Sequence, residues 1–174
     1  MTESHDGTPA TPEQVAAVEF EKTRRAYSNG ANWFYWIAGL SIVNSLIALF
    51  EGGMGFIFGL GITQIVDGVA MAILDEVAEG AGIIRIIALV TSAVFAGIFA
   101  LFGWLANRGL GWAFIVGMVL YLMDGLLFLL FGDWLSLAFH GFALYSMFNG
   151  YRALGTLRDM EVPAPQAAQV DTPA

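Results

Sequence analysis

The sequence predicts an all-α, polytopic integral membrane bundle, and three observations carry that reading. Of 174 residues, 57% are apolar and only 13% charged, an excess that a small water-soluble fold cannot hide, because its surface must be largely polar. From Trp33 onward, five apolar segments follow one another, each near the ~20 residues a helix needs to cross a hydrocarbon layer. Trp33, Trp36, Trp104, Trp112 and Trp134 all stand at or near segment ends, where amphipathic rings favour the membrane interface. Helices rather than a barrel are expected, because a spanning backbone must satisfy its own polar groups and no alternating strand pattern is present.

Residues 1–10 and 157–174 are rich in Pro, Ala, Thr and acids without periodicity and read as solvated tails. The polar, acidic opening "MTESHDGTPATPEQ" predicts no cleavable secretory signal. Residues 11–30 read as a short amphipathic helix lying at the membrane surface. Thr11 is its N-cap, Pro12 lies in its first turn, Gln14 follows three residues after the cap, and Asn29-Gly30 is its stop. Ala16, Phe20, Thr23 and Tyr27 share one face, and Glu21 and Arg25 are spaced for an ion pair.

Residues 31–156 form the predicted transmembrane bundle, with helices over 33–51, 55–74, 83–106, 111–131 and 134–154. The breaks at "FEGGMG", "ANRGLG" and "FGDW" are short, so sequential helices are expected to be antiparallel neighbours. Five crossings divide the basic residues almost evenly, with Lys22, Arg24, Arg25 and Arg85 on one side and Arg108, Arg152 and Arg158 on the other. The positive-inside rule would prefer 83–106 not to cross, yet "IIALVTSAVFAGIFALFGWL" carries no charge. Five crossings with the amino end inside is the expectation. A faint inverted repeat lays Asn44 over Asp124, Gly52 over Gly132 and Asp67-Gly68 over Asn149-Gly150.

Charges within the apolar segments need partners. Asp124 lies eight residues before Gly132 and His140 eight after it, so two antiparallel helices bring them to one depth, about 12 Å from the tip. An intramembrane Asp is costly unless it faces a partner or takes a proton. The pair reads either as hydrogen-bonding glue between helices or as a proton or cation relay. A secondary polar cluster of Asn44, Gln64, Asp67 and Asn149 is expected, with Asn44 bonding Gln64 across the first hairpin and Asp67 and Asn149 near their helix ends within reach of water. Gly55 with Gly59, and Ala93 with Gly97, have the small-xxx-small spacing that lets helices pack closely.

Several function classes are excluded. Seven Lys and Arg cannot track a phosphate backbone, so no nucleic-acid partner is expected. The absence of cysteine removes disulfide and thiolate chemistry. No Gly-x-Ser-x-Gly surrounds Ser136, and "GGMGFIFGLG" lacks the Lys-Ser/Thr of a phosphate loop. No enzyme activity, cofactor or metal is therefore expected. The expected role is that of an accessory, assembly or scaffold subunit of the cytoplasmic (inner) membrane, whose partners are the lipid bilayer and a membrane protein or a second copy. The alternative is a small proton- or cation-coupled transporter or channel using Asp124 and His140.

Overall fold

A computed structural model describes residues 11–51, 59–76 and 80–161. They form five helices and no strand: α1 (Pro12–Glu51), α2 (Gly61–Glu76), α3 (Ala81–Asn107), α4 (Gly111–Phe131) and α5 (Trp134–Glu161). Three of them, α1, α3 and α4, are long and apolar enough to cross a membrane. Their outward faces carry large exposed apolar side chains, among them Val90, Val94 and Leu101 on α3 and Leu122, Met123 and Leu130 on α4.

The capping box at the start of α1 forms as the spacing predicts. Thr11 N–H donates to Gln14 Oε1 at 2.9 Å and Gln14 N–H to Thr11 Oγ1 at 3.3 Å, satisfying two otherwise free donors. The predicted stop at Asn29-Gly30 is not a stop, and no separate surface helix precedes the bundle: α1 runs 40 residues unbroken. Gly30 instead marks where α1 crosses α5. A Cβ on Gly30 would lie 2.5 Å from Gly150 Cα, and one on Gly150 would lie 2.6 Å from Gly30 Cα, so the two backbones touch directly. At its far end α5 extends to Glu161, making 157–161 helical rather than tail.

The larger departure is in the second apolar segment. Residues 55–58 fall outside the described residues, and α2 begins only at Gly61, with 16 residues, about 24 Å of helix and short of a crossing. Its start lies inside the bundle. Leu60 N–H donates to Ser41 Oγ on α1 at 2.8 Å, although Ser41 stands ten residues before the end of α1, about 15 Å back along its axis. Six residues into α2, Asp67 meets Ser45, and Ala70 packs with Leu49 of α1 and Ala88 of α3. The contacts step along both chains in the same direction, so α2 runs parallel to α1 and leaves at the end where α1 terminates. Gly59 makes the entry: its φ of 147° is one that side-chain-bearing residues rarely adopt, and a Cβ there would press on Ser41 Cα at 3.1 Å. Gly59 therefore serves a turn, not a helix-packing stripe.

The other helices alternate direction, which gives the bundle two distinct ends. At one end Tyr27 Oη donates to Ala106 C=O at 2.7 Å and accepts Gly109 N–H at 3.0 Å, tying α1 to the α3–α4 turn. An Arg158 Nη2 of α5 donates to Gly109 C=O beside it. Lys22, Arg24, Arg25, Arg108, Arg152 and Arg158 all belong to this end, and Arg85 to the opposite one. Tyr27→Phe strips both bonds from the turn; it should cost about 1–2 kcal/mol of bundle stability, read as a lower midpoint in denaturant titration of the purified protein.

Above the level of Asp124, on the side of the basic end, the core is apolar and largely aromatic. The ring of Phe34 lies 6.5 Å from Phe99, 6.3 Å from Phe102 and 6.0 Å from Phe114, and Phe99 lies 5.8 Å from Tyr121. The buried polar side chains, Ser41, Asn44, Ser45, Thr63, Asp67, Ser92, Asp124, Ser136 and His140, all gather in the other half, around α2.

Candidate functional site: a carboxylate at a buried helix start

The first N–H groups of any helix lack partners within it, and together they carry a partial positive charge. At the start of α2 they point into the bundle, toward α4. Asp124 of α4 serves them instead. Gly61 N–H donates to its Oδ2 at 2.7 Å and Ile62 N–H to its Oδ1 at 2.9 Å. The carboxylate is 8% exposed by residue and caps a helix 63 positions away in sequence. Thr63 Oγ1 closes the turn by donating to Leu60 C=O at 2.8 Å.

His140 of α5 completes the site. Its Nε2 lies 3.1 Å from Asp124 Oδ2 and its Nδ1 lies 2.8 Å from the carbonyl oxygen of Ser136. Tyr121 stacks on the imidazole at 4.2 Å with 17° between planes, and Phe128 leans on it at 5.0 Å. The ring fits because position 125 is glycine: a Cβ there would come within 2.9 Å of His140 Cδ2. Nothing in the sequence pattern links either residue to α2, whose start neither spacing nor motif announces. Asp133 caps α5, accepting Ser136 N–H at 3.1 Å and its hydroxyl at 2.6 Å. These bonds, the hydroxyl's first, outweigh partial burial and hold the Asp133 carboxyl below the ordinary aspartate range.

No family model, curated protein or solved structure matches this chain.

The expected secondary cluster does not assemble as one group. Asp67 is not near water; it is 2% exposed and accepts the hydroxyls of Ser45 at 2.7 Å and Ser92 at 3.4 Å, which bind it to α1 and α3. Asn44 and Gln64 do not bond: Asn44 Oδ1 and Gln64 Nε2 are both enclosed without a partner. Asn149 is remote, because it sits beside Gly150 at the crossing with Gly30, fourteen residues from Asn44 along α1 and so about 21 Å away. Of the glycine pairs, Gly55 lies outside the described residues. Ala93 and Gly97 face outward, and a Cβ on Gly97 would meet nothing within 4 Å, so this stripe packs no helix within the chain. Ser41, Ser45, Ser92 and Tyr121 are the site residues that sequence reasoning passed over. The i,i+4 spacing of Ser41 and Ser45 on an apolar helix was the available signal, since hydroxyls at that spacing present one polar face.

Among the described residues no group of three or more His, Asp and Glu side chains is placed to hold a metal ion. An open groove of about 440 Å³ runs between α2 and α4, lined by residues including Gln64, Gly68, Phe128 and Asp133. The site can hold a proton and fix a helix end.

Proposed function

We propose that this chain is an integral protein of the cytoplasmic membrane in which α1, α3, α4 and α5 cross the bilayer and α2 is a re-entrant half-helix. It acts without chemistry of its own, as an accessory or assembly subunit whose partner docks on the apolar outer surface. Four crossings put both termini on one side. Non-helical backbone at membrane depth is tolerated where protein buries it, which is the situation of Gly59 and Leu60. The resulting split of basic residues, with Arg85 opposite the other six, follows the positive-inside rule and orients both termini inward. The even split that five crossings would produce does not arise, because the second segment turns back rather than the third.

The observation that carries the accessory role is how the buried polar groups are used. Asp124 is taken up by the amides of α2 and by His140, and Asp67 by two serines, so both intramembrane acids serve the placement of α2. Aromatic rings fill the half of the core toward the basic end, against a continuous path. A proton- or cation-coupled carrier is the second reading, favoured by the close pairing of Asp124 with His140.

Topology and role are tested together. With no native thiols, single cysteines at positions 28, 80 and 108 should label from one side at 28 and 108 and from the other at 80; labelling of 28 and 80 from the same side would restore five crossings. Mild-detergent purification should yield a stoichiometric partner or a defined homo-oligomer, whereas a lone monodisperse monomer would sink the subunit role. Proton flux in vesicles above that of empty ones, abolished by Asp124→Asn, would replace it with the carrier.

A further inference from the structure

We infer that Asp124 and His140 form a binding site for a single proton and that its occupancy latches the start of α2 in the bundle. The inference rests on the membrane reading, which keeps bulk water from the site, but not on the accessory role.

The proton count follows from which atoms face one another. Both ring nitrogens of His140 face oxygen: Nδ1 faces a backbone carbonyl, which can only accept, and Nε2 faces the carboxylate. Nδ1 therefore carries hydrogen, and one further proton must lie between Nε2 and Oδ2, on either atom. Remove that proton and a neutral imidazole has one N–H for two acceptors. Whichever tautomer it adopts, one nitrogen lone pair is left against an oxygen lone pair at 2.8 or 3.1 Å. Add a second proton instead, and Nε2–H and a carboxylic O–H confront each other while the carboxyl loses the charge that the amides of Gly61 and Ile62 bind. The arrangement closes with one shared proton and opens with none or two.

The α2 helix answers to this pair because two of its first amides have Asp124 as their acceptor. Few other ionisable groups bear on the pair. The α4 helix contributes Tyr121, the turn after it Asp133, and α2 itself Asp67, six residues along. The α1 helix contributes the uncharged Ser41 and Asn44, and α3 the uncharged Ser92. Between the pair and the basic end lie the aromatic rings, so the proton exchanges with the end that carries Asp133. The latch responds to acidity on that face.

The test uses full-length protein in lipid nanodiscs with one cysteine introduced as Thr63→Cys, a buried position in the first turn of α2 that is shielded while the helix start is seated. Maleimide labelling, corrected for thiolate fraction with a small-thiol standard, should be slowest in the pH interval where the pair holds one proton. It should rise by about tenfold on either side of that interval, the gain expected when one buried charged hydrogen bond is lost. Amide hydrogen exchange at Gly61 and Ile62 supplies a second readout that needs no variant. Asp124→Asn, which can donate to Nε2 and leaves His140 as the ionisable member of the pair, should lose the rise on the alkaline side, and Asp75→Asn, at an exposed carboxylate far along α2, should leave the wild-type profile unchanged. A flat wild-type profile in both readouts overturns the latch, as does a profile abolished by Asp75→Asn or an alkaline rise surviving Asp124→Asn. Failure of the membrane reading would appear separately, as labelling at 28, 80 and 108 from both sides alike.

Discussion

Asp124→Ala should be the most damaging single substitution in the chain, costing about 3–5 kcal/mol, the usual effect of removing one member of a buried, hydrogen-bonded charged pair. Three groups lose their partner at once: Gly61 N–H, Ile62 N–H and His140 Nε2. The size of the loss distinguishes a cap from a mere neighbour, because a contact that only filled space would cost the lost carboxyl packing and leave no donor stranded. Asp124→Asn grades the argument. Its carbonyl oxygen can keep the Ile62 bond and its amide can donate to Nε2, but the amide then opposes Gly61 N–H, so about 1–2 kcal/mol should be lost. Unfolding in mixed micelles, followed by far-UV circular dichroism, orders the three proteins. An alanine variant within about 0.5 kcal/mol of wild type would mean that α2 does not depend on this carboxylate.

The depth of Asp124 and His140 was legible in the sequence because it follows from counting equal steps from one turn, and an α-helix converts steps to distance reliably. What they bind was not legible, since the partner is a helix start that an apolarity window reads through. The stretch from Gly52 to Gly61 is as apolar as a span, yet it holds five glycines, each worth about 1 kcal/mol against helix relative to alanine. Weighing propensity beside hydropathy would have broken the second segment there. On the proposed topology the same correction removes the conflict over charge: with α2 re-entrant, Lys22, Arg24, Arg25, Arg108, Arg152 and Arg158 share an end and the uncharged third segment is still free to cross. Asp67 was misjudged for a related reason. Its distance from a helix end was counted on a helix assumed to span, whereas α2 starts in the interior and carries Asp67 into contact with Ser45 and Ser92.

Asn29-Gly30 shows the limit of reading glycine as punctuation, and it yields the second large effect. Gly30 lies in an unbroken helix because α5 approaches so closely that a side chain has no place, and Gly150 mirrors it across the crossing. Gly150→Val should cost about 3 kcal/mol or more, at the upper end of overpacking penalties, since the obstruction is backbone and cannot rotate aside: the added Cβ would sit 2.6 Å from Gly30 Cα. Gly150→Ala should cost less but still register. Gly97→Ala is the control, as its Cβ would meet nothing within 4 Å and alanine is the better helix former; it should be neutral or slightly stabilising. The comparison reads on the architecture as well as on one contact, because parting α1 from α5 at Gly30 strains the neighbouring ties of Tyr27 to Gly109 and of Arg158 to the same turn. Gly150→Val and Tyr27→Phe combined should therefore lose less stability than the sum of the two single losses, and strict additivity would show the crossing and the turn to be independent.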